Sequence, residues 1–89
     1  MTKVLISIYR TSCYYEAQGH AGDHDVCTIM STLEGVLTTA QTPRQYDAES
    51  GHCQIVIDDA TDAQKTVFRA VQSVLQQVAE QFPEHVKLY

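Results

Sequence analysis

The sequence predicts an α+β domain in which two helices pack on a mainly antiparallel sheet of four to five strands, in the order ββαββαβ. Three observations lead there. Branched and aromatic residues alternate with polar ones in short runs, the period of half-buried strands. Two longer stretches carry apolar residues at helical spacing. The strand-like runs come in pairs joined by short polar or glycine-containing breaks, as hairpins do. The chain has 89 residues, 44% of them hydrophobic, enough for one core and too short for two, so residues 1–89 read as a single domain.

Between Lys3 and Tyr9, Val4, Ile6 and Ile8 alternate with Leu5, Ser7 and Tyr9, which defines the first strand. Thr11-Ser12 breaks it, and Cys13 to Gln18 resumes an extended pattern as the second arm of a hairpin. Gly19 closes that arm and opens the loop Gly19-His20-Ala21-Gly22-Asp23-His24-Asp25, whose composition is of the kind that carries function. From Val26, the residues Val26, Ile29, Met30, Leu33, Val36, Leu37 and Ala40 share one helical face, and this helix ends before Pro43. Asp25 is placed to cap its N-terminus. Cys27, Ser31 and Glu34 then lie at one margin of the apolar stripe, neither fully buried nor fully solvated. Arg44 to Glu49 and His52 to Asp58 form a second strand pair around Ser50-Gly51. Thr61 with Gln64 fits a capping box, and Ala63, Val67, Ala70, Val71, Val74, Leu75, Val78 and Phe82 make a wide stripe up to Pro83. His85 to Tyr89 alternates again, as a short last strand would.

Composition excludes several classes of function. No apolar run approaches the roughly 20 residues of a membrane span, and Met1-Thr2-Lys3-Val4 runs into an alternating strand, not a signal-peptide core. Three cysteines are too few for a disulfide scaffold, so a cytoplasmic protein with at least one free thiol is expected. The net charge is -5, and six Lys+Arg are scattered along the chain, so no basic stripe offers itself to nucleic acid. An acidic surface favours basic peptides or proteins as partners.

The chemistry in the pattern is a histidine and a cysteine at a helix start. A thiolate is stabilised by a helix N-terminus and by a neighbouring imidazolium. Cys27 lies in the first turn, and His20 sits seven residues upstream on a loop that returns to that turn. Backbone N–H groups around Val26 and Cys27 are candidates for receiving an oxyanion. Against this stands the plainer reading of Cys27 as a half-buried filler. A third reading is zinc, through His20, His24 and Cys27 with His52, Cys53 or Asp23 as the fourth ligand, although paired C-x-x-C motifs are absent. His52 and Cys53 beside the turn, Cys13 in its strand and a solvated His85 read as structural.

Gly19-His20-Ala21, an acidic loop, Asp25-Val26-Cys27 and Ser31 four residues on resemble the motif of the ribosomal-processing cysteine protease family, and the order of elements is similar over nearly the whole chain. The resemblance implies a cysteine endopeptidase that removes the N-terminal extension of a large-subunit ribosomal protein, or in phage processes capsid or scaffold proteins. It implies a homodimer and no cofactor or metal. It makes His20 and Cys27 the catalytic pair, with Ser31 and Asp25 in support. The family's acid stands one residue earlier, where this chain has His24, and its loop from histidine to cysteine is several residues longer. Thr28-Ile29-Met30 are also bulkier than the residues usual after the cysteine. The chain thus reads as a divergent member. The alternative is a non-catalytic ribosome- or capsid-associated binding module on the same fold.

Overall fold

Seven elements follow in the expected order: β1 (Thr2–Ile8), β2 (Ser12–Gln18), α1 (His24–Thr38), β3 (Arg44–Asp47), β4 (His52–Asp58), α2 (Asp62–Gln81) and β5 (Val86–Leu88). They are seen in a computed structural model that describes residues 1–38, 44–47 and 51–89. The expected continuation of the first helix towards Pro43, the last residues of the strand arm ending at Glu49, and Ser50 of its turn lie outside the described residues.

The strands form one five-stranded sheet in the order β3-β4-β2-β1-β5. Every neighbouring pair is antiparallel except β1 with β5. That exception follows from the connection. β4 runs parallel to β1, so β5 can lie parallel beside β1 only if the chain crosses over two strands, and α2 is the long element that makes the crossing. The α+β class with two helices on a mainly antiparallel sheet is therefore what the alternation predicted.

Register decides which face is inside. Val4 pairs with Ala17, Ile6 with Tyr15 and Ile8 with Cys13, while Tyr15 faces Ile55 and Ala17 faces Cys53 on the other side of β2. These residues share one sheet face and, Ile8 apart, are buried. The opposite face carries Lys3, Leu5, Glu16, Gln54 and Val56, with Glu16 bonded to His52 at 2.8 Å and Gln54 to the Tyr14 hydroxyl at 3.2 Å. Both helices contribute to the core on the first face, α1 through Val26, Met30 and Leu37 and α2 through Phe68, Val71, Leu75 and Val78.

The capping box at the start of α2 has both halves in place, Gln64 N to Thr61 Oγ1 at 3.1 Å and Thr61 N to Gln64 Oε1 at 2.8 Å. The buried stripe of α2 is rotated from the one expected. Phe68 is 1% exposed, whereas Val74 is 40% exposed and Ala63 and Ala70 face solvent. A phenyl ring removes far more apolar area from water than a methyl group, so the helix turns to bury it.

The start of α1 is also corrected. The helix begins at His24, and Asp23, not Asp25, caps it: the Val26 amide donates to Asp23 Oδ1 at 3.1 Å and the Cys27 amide to the Asp23 carbonyl at 2.9 Å. Asp25 sits inside the first turn, exposed, where it complements the helix dipole without capping.

Candidate active site

The loop from β2 to α1 is held by its main chain. Three consecutive carbonyls are engaged: the Thr2 hydroxyl donates to Gly19 O at 3.3 Å, the Met1 ammonium group to His20 O at 2.7 Å, and His85 Nδ1 to Ala21 O at 2.7 Å. A carbonyl only accepts, so Nδ1 of His85 carries its proton. Ala21 is buried against the core. The loop is thus anchored, and one sequence expectation changes here: His85 is a half-buried fastener of that loop and not a solvated terminal residue.

Two glycines allow the close approach. Gly19 has φ +89, and a Cβ there would stand 2.5 Å from Met1 O. Gly51 has φ +65, and its Cβ would stand 2.8 Å from Gly19 O and 3.0 Å from His20 Cε1. The imidazole of His20 thus lies against the turn before β4, at a distance only glycine permits.

His20, Cys27, Ser31 and Glu34 line one cleft of about 80 Å³, with Ala17, Ala21 and Met30 among its walls. Cys27, Ser31 and Glu34 are there because they stand at i, i+4 and i+7 on α1, one helical face. Cys27 is half-buried, and His20 and Ser31 are exposed. Asp25 is not among the lining residues. Cys27 also borders a wider outer concavity with His24, Thr28, Ser31 and Thr32, so it shares one concavity with His20 and another with His24. The oxyanion role expected of the Val26 and Cys27 amides is corrected by their bonds to Asp23. Among the described residues no three His, Cys, Asp or Glu side chains group as metal ligands, so the zinc reading has no site there.

Glu34 is the residue that sequence reasoning placed wrongly. It is 7% exposed, not marginal, and its Oε2 accepts from the Tyr15 hydroxyl at 2.7 Å, with Tyr15 fully buried. The signal was present. Tyr15 falls on the inward face of β2, and a buried tyrosine hydroxyl needs a partner.

None of the three cysteines forms a disulfide, and they differ sharply in setting. Cys13 and Cys53 are at most 1% exposed. Burial pushes the Cys13 thiol up, with Lys65 and Arg69 pulling partly back. Brief alkylation at neutral pH, followed by mass mapping, is expected to label Cys27 at least about tenfold faster than either.

No family model and no curated protein matches the sequence. Solved structures do share the fold. The ribosomal processing protease Prp from S. aureus, crystallised with a covalently linked product peptide, superposes with a TM-score of 0.79 at 24% identity, over 99% of this chain and 97% of that one. A hypothetical protein from Staphylococcus aureus matches with a TM-score of 0.64 at 20% identity, over the same 99% and 97%. Among the described residues no helix is long and apolar enough to cross a membrane.

Proposed function

We propose that this chain is a cysteine endopeptidase, a divergent relative of the ribosomal-processing proteases with a shortened loop between its histidine and its cysteine. The observation that carries the reading is the meeting of His20, Cys27 and Ser31 at one cleft beside a helix start. In the proposed reaction His20 takes the thiol proton and Cys27 Sγ attacks a peptide carbonyl. His20 returns the proton to the departing amine, and water then cleaves the thioester, regenerating the thiol. Because the Val26 and Cys27 amides are occupied, the Ser31 hydroxyl is the oxyanion donor we assign, exposed one turn beyond the nucleophile. Asp25, exposed and away from the cleft lining, acts only through the helix dipole.

The substrate is a protein with a basic N-terminal segment, complementary to the chain's charge of -5. An N-terminal extension of a ribosomal protein precursor is the first to test, and a phage capsid or scaffold protein the second. A discrete cut in such a precursor, reduced at least roughly 10³-fold by Cys27→Ala, supports the reading. Specific binding of the precursor without any cut would favour the binding module. A cytoplasmic location belongs to the same proposal.

A homodimer completes it. An 89-residue domain has a marginal core, and Leu5 and Val56 stand 39% and 44% exposed on the open sheet face. Sedimentation is expected to show a dimer at high micromolar concentration, and a monomer throughout would remove the proposal.

A further inference from the structure

Among the described residues Glu34 is the buried side chain that bears a formal charge. Placing a carboxylate below the surface costs several kcal/mol unless partners compensate it. Tyr15 supplies one bond, to Oε2. No fully occluded side-chain polar atom of the described residues lacks a partner, and Glu34 is one of the residues that line the cleft. A neutral glutamine could also accept from Tyr15, though more weakly for want of the charge. The bond from Tyr15 engages Oε2 alone, which leaves the second oxygen for a cation that enters the cleft.

We infer that Glu34 is a specificity-determining residue of the cleft, receiving the ammonium of a substrate lysine next to the peptide bond that Cys27 attacks; this rests on the endopeptidase reading. Glu34 stands seven positions beyond Cys27, about 10 Å along the helix axis, a span for a long side chain and not for a short one. The cleft suits such a stem, because Ala17, Ala21 and Met30, which also line it, are apolar. Arginine fits less well. Its fork is best met by two carboxylate oxygens, and Tyr15 already engages Oε2. A compact ammonium needs only Oε1, and a cleft of about 80 Å³ has room for it.

The test compares blocked dipeptide chloromethyl ketones ending in lysine or in norleucine, which has a similar stem and no charge. Each alkylates Cys27 by forming a carbon–sulfur bond as chloride leaves, and intact mass gives the rate, normalised to that of iodoacetamide. The lysyl reagent is expected to be roughly tenfold faster, and Glu34→Gln to bring the ratio to about one. Equal rates in the wild type, or a lysine preference that survives Glu34→Gln, would overturn the inference while leaving the endopeptidase reading intact. A second pair of reagents needs no peptide recognition: methanethiosulfonates bearing a trimethylammonium or a sulfonate group. Should neither ketone prefer Cys27 to the buried thiols, the endopeptidase reading fails. The cation-to-anion ratio then decides whether Glu34 charges the cleft: a fall in Glu34→Gln keeps the cation site, and an unchanged ratio removes it.

Discussion

His20→Ala is expected to lower precursor cleavage by roughly 10²- to 10⁴-fold and to slow alkylation of Cys27 at neutral pH, whereas His24→Ala leaves both nearly unchanged. Each histidine shares a concavity with Cys27, His20 the inner cleft and His24 the outer one. What separates them is how each is held. His24 is the first residue of α1, exposed, on the outer concavity, beyond the stretch around His20 that the three carbonyl bonds anchor. His20 follows Gly19 in a loop whose three carbonyls are each anchored, and its ring rests on Gly51. A general base contributes through a fixed geometry relative to the proton it removes, so the constrained histidine is the one that counts. Cleavage assays and alkylation time courses on the two variants measure this directly. The opposite ranking would move the dyad to His24 and Cys27 along the helix.

Gly51→Ala is expected to destabilise the fold by about 3 kcal/mol, on the order of 15 °C in melting temperature for a domain of this size. Two effects combine. The left-handed φ of +65 strains any residue with a Cβ, and that Cβ would press on the Gly19 carbonyl at 2.8 Å, a backbone atom that cannot swing aside. The same displacement pushes His20 Cε1, so any folded fraction should also cleave poorly. Gly35→Ala is the control. It lies in α1, its Cβ would meet nothing within 4 Å, and alanine in a helix is better than glycine by about 0.5–1 kcal/mol. Thermal unfolding of the pair should therefore move in opposite directions.

The elements were legible where one strong local rule acted alone. The Thr61–Gln64 capping box set the start of α2, and the alternation from His52 to Asp58 matched β4 residue for residue. The order of strands was less accessible, because parallel pairing of β5 with β1 depends on a crossing over two strands that no local pattern records. Errors came where two local signals competed. Asp23 and Asp25 are both good caps, and only the chain path showed that Asp23 supplies the acceptors. On α2, Phe68 outweighed three smaller residues that fitted the expected stripe better. In the site, the spacing of Cys27 and Ser31 was readable on a helical wheel, and so was the return of His20 towards them. For Glu34 the inward-facing Tyr15 signalled that a partner was needed, but which residue meets it, nineteen positions away on another element, is recorded in no local window. The fastening of the loop by His85 spans 64 positions and left no mark in any window.

That last bond bears on the order in which the molecule is made. Thr2 N donates to His85 O at 2.8 Å and Tyr89 N to Val4 O at 2.9 Å, so the strand that opens the sheet is completed by residues emerging from the ribosome more than eighty positions later. Contacts so distant in sequence form late in folding, after the loop closures that precede them. The loop bearing His20 takes its final support from His85 at the same stage. On the proposed endopeptidase reading, a nascent chain displaying Cys27 but not yet residues 85–89 would lack the support of the loop that bears His20, so proteolytic competence would arrive with the completed sheet and not before it.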